Sequence, residues 1–207
     1  MKARELKAEG LARIAGLLEP EGWERVGRRT AFRRPQAPRI DAILDFNCTL
    51  RNSPVTVDLT PYAEIVHADI EKARKAITGK SYYALNVQLQ TLLSEPPSYT
   101  RWLFTPKLGT EAAAQHLVAD ALEYTPAFFS KFHDLDDVVR ELEATKMPQR
   151  TIPGESRAIA YALQGRTQDA LNHLTDLISA AKSGEKRARA ELKGYAALLN
   201  VPALADV

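Results

Sequence analysis

The sequence holds a single cysteine, Cys48, in 207 residues. That excludes an intramolecular disulfide framework and a cysteine-based zinc site. Long apolar runs are missing too. Segments such as "ALLNVPALA" (197–205) are too short to cross a bilayer as a helix. There is no GxGxxG, Walker or GxSxG loop and no HExxH pair, so the common dinucleotide, P-loop, nucleophile-elbow and zincin chemistries lack their signatures. The expectation is a protein with no cofactor and no bound metal. Net charge is nearly absent: 28 basic against 26 acidic residues leave +2. So small a charge supplies no global field toward nucleic acid or an anionic membrane. Lys2 and Arg4 open the chain as a signal peptide would, but Glu5, Lys7, Glu9 and Arg13 interrupt any apolar core segment. The default compartment is the cytoplasm.

What is present is an ordinary globular composition, 45% apolar and 26% charged. Leu6, Leu11, Ile14, Leu17 and Leu18 form one helical stripe over 3–19, stopped by Pro20 and Gly22. The period then changes to two. In "RIDAILDFNCTL" (39–50), Ile40, Ala42, Leu44, Phe46, Cys48 and Leu50 share one face, and Asp41, Asp45, Asn47 and Thr49 share the other, with Ile43 the exception. After a turn at Asn52-Ser53-Pro54, Val55, Val57 and Leu59 alternate with Thr56, Asp58 and Thr60 until Pro61. Apolar spacing predicts a helix over 62–78, ended by Gly79. Further strands are predicted at 81–93 and 99–105, and helices at 110–124 and 127–145. Beyond Pro148, Pro153 and Gly154 the pattern is helical only, over 155–164, 167–182 and 185–200. The fold class expected is α+β: an antiparallel sheet of four to five strands with helices packed on one face, and a C-terminal three-helix module. The expected domains are 1–147 and 155–207.

Chemistry is sparse. "RVGRRTAFRRPQAPRID" (25–41) carries arginines at 25, 28, 29, 33, 34 and 39. With Trp23 and Phe32 in core positions, the stretch reads as strand–turn–strand. Arg29 and Arg33 then point outward, toward the outward Asp41, Asp45 and Asp58 of the next strands. Such cross-strand ion pairs contribute roughly 0.2–1 kcal/mol each. Nucleic-acid modules interleave exposed aromatics with their basic residues, and that is not the pattern here. Cys48 falls on an apolar strand face, a core position rather than a nucleophile's. "HDLDD" (133–137) lacks calcium-loop spacing and suits the start of a helix. His67, His116 and His173 are scattered.

"LLEPEGWERVGRRTAFRRP" followed by "IDAILDFNCTLRNSPVTVDL" resembles the opening of a bacterial family known only as domain of unknown function 4304. "RWLFTP" and "ALEYTPAFFSKFHDLDDVVREL" resemble its tryptophan segment and closing helices. The resemblance covers about 5–145 and implies a fold but no activity. "RAIAYALQGRTQDALNHLTDLI" (157–178) looks like a tetratricopeptide-type helical pair, with Ala158, Tyr161, Ala162, Leu163 and Gly165 preceding Ala170, Leu171 and Leu174. One pair cannot form a solenoid, so its apolar stripe must dock on the rest of the chain, on a second copy, or on a partner.

The functional expectation is a non-enzymatic protein-binding module, most specifically a bacterial immunity or antitoxin-like protein that neutralises a toxin by binding it. The partner-binding candidates are Arg29, Arg33, Asp41, Asp45 and Asp58 on the sheet, and Tyr161 and Leu171 on the helices. Two rivals stay open: a small hydrolase or nucleotide-handling enzyme using the Arg/Asp face, and a nucleic-acid-associated protein using the arginine hairpin.

Overall fold

A computed structural model describes residues 2–27, 30–80, 83–93, 102–145, 152–180 and 194. The fold is α+β with an antiparallel sheet. The strands are β1 (Glu24–Arg25), β2 (Ala31–Ala37), β3 (Ile40–Asn52), β4 (Val55–His67), β5 (Leu85–Gln88) and β6 (Trp102–Phe104). Neighbours follow the order β1-β2-β3-β4-β5, and β6 pairs with β4, making six strands. The chain divides into two compact units: Met1–Gln36, Asp41–Glu64 and Asn86–Lys131 in the first, Ala37–Ile40, Ile65–Leu85 and Phe132–Val207 in the second. The expected boundary at 148–154 falls inside the second unit.

In the first unit, α1 (Ala3–Leu18) buries Leu6, Leu11, Ile14 and Leu18. It packs against β6 and against α4 (Glu111–Tyr124), which buries Ala114, Leu117, Val118 and Ala121. Phe104 of β6 pairs with Val57 of β4, and both are fully buried. Gly10 of α1 lies directly on the Phe104 ring, where no side chain would fit. Arg13 ties α1 to the start of α4, its Nε donating to Thr110 Oγ1 at 3.0 Å and its guanidinium reaching Glu111 at 3.2 Å. Trp23 meets Phe129 at 5.9 Å between ring centroids, and Phe32 meets Phe46 edge-on at 5.8 Å. β1 pairs with β2 through Glu24–Arg33 and Arg25–Phe32, the strand–turn–strand that the arginine stretch implies.

In the second unit, α2 (Ala68–Thr78), α6 (Leu135–Ala144), α7 (Ile152–Leu163) and α8 (Thr167–Ala180) pack together, α7 touching all three others. Ala158, Ile159, Ala160, Tyr161, Ala170, Leu174 and Leu177 are buried in this packing. Gly165 turns the chain between α7 and α8 with φ of 74°, a left-handed conformation that glycine adopts without strain. Arg74 of α2 is 1% exposed. It donates to the Tyr83 carbonyl and to Ser156 Oγ, both at 3.0 Å, and reaches Glu155 at 3.6 Å.

Four local readings are corrected. The helix expected over 62–78 begins only at Ala68. Residues 62–67 continue β4, because Ala63, Ile65 and His67 are buried alternately with the half-buried Tyr62, Glu64 and Val66, a period of two. Pro61 does not end the strand. It lies where β4 changes partner, between 57–59 paired with β6 and Ile65, whose carbonyl accepts from Ala84 N–H, a place where a missing donor is tolerated. Among the described residues 83–93, the strand expected over 81–93 is confined to β5 and gives way to α3 (Leu89–Leu93). The helix expected over 127–145 is split into α5 (Pro126–Phe129) and α6. The break occurs because Asp134 caps α6, its Oδ1 accepting from Asp137 N–H at 3.0 Å, while Asp137 accepts from His133 N–H at 2.9 Å. The helix expected at 185–200 lies outside the described residues, apart from Gly194.

Candidate functional site

The strand alternation that buries Phe32, Phe46 and Val57 leaves a polar face on the first unit. Arg33 forms a hydrogen-bonded ion pair with Asp41. Thr30 Oγ1 donates to Asp45 at 2.6 Å. Arg51 Nε lies 2.8 Å from Asp58. The carboxylates are sheltered and the guanidiniums are not: the side chains of Asp41 and Asp58 are 12% and 15% exposed, those of Arg33 and Arg51 52% and 54%. The solvent-facing groups of these two pairs are therefore the arginines, each held by a sheltered aspartate. Arg34 instead lies over the Trp23 ring, 4.5 Å from its centroid, a cation–π contact. Arg29 lies outside the described residues. Arg51 was not among the sequence candidates, although the outward series Asp45, Asn47 and Thr49 runs on to it before the turn.

Cys48 is half-buried, and burial pushes its thiol up to about 11, with Lys7 opposing and Asp45 reinforcing the shift. Its Sγ donates to the Phe46 carbonyl at 2.9 Å. A protonated thiol so held is a packing group, not a nucleophile.

The two helical candidates sit differently. Tyr161 is 4% exposed. Its hydroxyl accepts from Arg157 Nε at 2.7 Å, and Arg166 lies over its ring at 4.2 Å. Arg166 is fixed in turn by Glu143 at 3.0 Å and Asp169 at 2.7 Å. His173 meets Tyr161 edge-on at 6.3 Å and binds the Gly154 carbonyl at 3.0 Å. Tyr161 is therefore a core residue of the α6–α7–α8 packing. Leu171 is half-buried on α8.

The second unit also holds a cleft of about 750 Å³ that no sequence spacing pointed to. Pro38 and Arg39 come from the β2–β3 turn, His67 from the end of β4, and Asp69 from the first turn of α2. His133, Asp134 and Leu135 come from the start of α6, and Leu163 from the end of α7. Arg39 has φ of 67°, a left-handed conformation that costs a non-glycine residue about 1 kcal/mol or more. It is secured by Ala68 N–H, which donates to the Arg39 carbonyl at 2.8 Å, and by an ion pair with Asp69. His67 is 4% exposed, and its Nδ1 has no hydrogen-bond partner among the described residues. Burial lowers the pKa of His67, with Asp69 raising and Arg39 lowering it.

Among the described residues, no group of three or more His, Cys, Asp or Glu side chains is placed to hold a metal ion. Nor is any described helix long and apolar enough to cross a membrane. His116 stands 3.5 Å from Asp120, which accepts from Trp102 Nε1 at 3.0 Å, so this histidine belongs to a surface pair rather than to a site. No family model, no curated protein and no solved structure matches the chain.

Proposed function

We propose that the protein is a non-enzymatic binding module that docks an acidic surface of a protein partner onto Arg33 and Arg51. The observation supporting this reading is the pair of half-exposed guanidiniums anchored by sheltered aspartates on one sheet face. Arginine is enriched at the energetic centres of protein interfaces. A guanidinium already held in place loses less side-chain freedom on binding than a free one. The aspartates beneath also cancel the net charge, which favours a folded acidic surface over a polyanion such as nucleic acid. The specific form proposed is an immunity-like protein, whose partner is an enzyme silenced when the arginine face covers it. The resemblance to domain of unknown function 4304 adds a fold expectation to this reading and no residue roles.

The test is capture of native complexes from the source cells with the wild-type protein and with the double variant R33E/R51E, both checked for equal thermal stability. The reading requires a partner that the wild type retains and the double variant loses. It requires further that the purified partner's own activity falls when the wild type is added. An identical set of proteins on both baits removes the arginine face from the account.

A further inference from the structure

Among the described residues, the large apolar side chains that stand exposed are Leu50, Leu108 and Leu163. Leu163 belongs to the second unit. The other two belong to the first, at the end of the sheet that carries Arg51. Single leucines scattered over a surface are ordinary. Two at one end, beside an anchored guanidinium, form a local feature.

The strand register fixes that placement. Leu50 and Arg51 stand near the end of β3, just before the turn into β4. β6 runs antiparallel to β4, with Trp102, Leu103 and Phe104 opposite Leu59, Asp58 and Val57. The chain therefore moves toward the β3–β4 turn as it leaves β6. Asp58, the ion-pair partner of Arg51, stands opposite Leu103. Two residues on, at about 3.3 Å each, comes Thr105, and Gly109 returns beside it. A standard interface covers about 800 Å² on each partner, so one partner can reach both Arg51 and Leu108. Burial falls away along this end: Val57 is fully buried, Val55 half-buried, Leu50 38% exposed and Leu108 69% exposed.

The turn that carries Leu108 is held in shape. Gly109 N–H donates to the Thr105 carbonyl at 2.9 Å, and Leu108 N–H donates to Thr105 Oγ1 at 3.0 Å. Its two flanks are anchored. Phe104 is fully buried, and Thr110 is 2% exposed with its Oγ1 donating to Glu9 at 2.8 Å. Leu108, at the exposed tip with Pro106 and Lys107, contributes little to the core. An apolar side chain on a fixed turn loses little freedom when covered, and its surface leaves water.

We propose that this end of the sheet is the apolar half of the docking surface, and that the partner offers an acidic segment with exposed apolar side chains. The apolar groups cover Leu108 and Leu50, and a flanking carboxylate meets Arg51. This rests on the arginine-face reading and adds to it the contact that selects among acidic surfaces. Charge complementarity names the occupant: Arg51 and Lys107 both present positive charge at this end, which attracts carboxylates and repels the same end of a second copy.

The test is an NMR titration of the full chain with end-blocked hexapeptides, following backbone amides at 49–58 and 103–109. The probes are Glu-Glu-Leu-Phe-Glu-Glu, its polar counterpart Glu-Glu-Ser-Ser-Glu-Glu and its basic counterpart Lys-Lys-Leu-Phe-Lys-Lys. Wild type is compared with Arg51→Gln and with Leu108→Ser, a change at an exposed side chain that keeps the backbone hydrogen bonds of the turn. The first peptide should shift both segments saturably and bind about tenfold tighter than either counterpart. Leu108→Ser should weaken it by about fivefold or more and leave the polar acidic peptide unaffected. Equal binding of the two acidic peptides, with Leu108→Ser indistinguishable from wild type, would overturn the apolar contact and leave the arginine face standing. No shift at Arg51 with either acidic peptide, or no effect of Arg51→Gln, would overturn both. Tighter binding of the basic peptide would overturn the proposal through its charge. Amide shifts at 103–109 that change on dilution of the protein alone would make a second copy the occupant, and that also overturns it.

Discussion

Replacing Gly10 by alanine should destabilise the protein, although the same change in most helices stabilises it. Alanine is favoured over glycine by about 1 kcal/mol in a helix interior. At Gly10, however, a Cβ would stand 2.0 Å from Cε2, 2.4 Å from Cδ2 and 2.6 Å from Cζ of Phe104. Carbon atoms rest about 3.5–4.0 Å apart, so roughly 1.5 Å must be found. Phe104 is fully buried and its strand is held to Val57 and Leu59 of β4, so the ring has nowhere to swing. The helix must lift instead, loosening Leu6, Leu11, Ile14 and Leu18. Overpacking of this kind costs about 1–3 kcal/mol. With three ring atoms in conflict the upper end applies, and the helix gain reduces it to a net loss of about 2 kcal/mol. Urea unfolding of Gly10→Ala, Phe104→Leu and the double variant measures both the loss and its origin. The double variant should be more stable than the sum of the singles by about 1 kcal/mol or more. A Gly10→Ala protein as stable as wild type, or strictly additive variants, would refute the contact.

Arg74→Ala should cost about 3 kcal/mol, the lower end for breaking a buried ion pair because Glu155 is 25% exposed. Arg74→Met should cost less, and equal losses in urea unfolding would show that charge is not the issue. His67 and His173 both have pKa values lowered by burial from the ordinary 6.5. The unfolded chain therefore binds more protons below that value, and stability should be flat above pH 6.5 and fall as pH drops below it. The limiting slope is about 1.4 kcal/mol per pH unit for each histidine. Unfolding at pH 7.5 and 5.5 checks this, and wild type and His173→Asn with the same pH dependence would contradict the share assigned to His173. Cys48, with its thiol raised to about 11, should react with iodoacetamide at pH 7.5 on the order of a hundredfold more slowly than in the urea-unfolded chain. Equal rates would mean the thiol is not buried.

The parts of this fold legible in the sequence are those where one periodicity runs unopposed. α1 carries an apolar stripe and β3 alternates apart from Ile43, so their core faces follow from the residues, although packing also buries Asp41 and Ile43 on the other face of β3 and leaves Leu50 exposed. The errors fall where two periods overlap. "YAEIVHADIEKARKAIT" contains apolar residues at spacings that fit a helix, yet its first six also alternate, and burial of Ala63, Ile65 and His67 decides for the strand. The Arg33–Asp41 pair was readable because both residues lie on outward strand positions. Tyr161 was legible as apolar surface, but not as a ring enclosed by Arg157, Arg166 and His173, since those contacts depend on how α7 and α8 cross. The cleft could not be read at all. His67 and His133 come from distant segments and Arg39 from a hairpin turn, and only the folded second unit brings them together.

The central claim rests on the exposed guanidiniums of Arg33 and Arg51, and quantitative co-purification with three baits tests it most directly: wild type, R33E/R51E, and Lys131→Glu as a charge change elsewhere on the first unit. The account predicts a partner recovered equally by wild type and Lys131→Glu and reduced at least about tenfold with R33E/R51E. Equal recovery on all three baits, or equal loss with Lys131→Glu and with R33E/R51E, would contradict it.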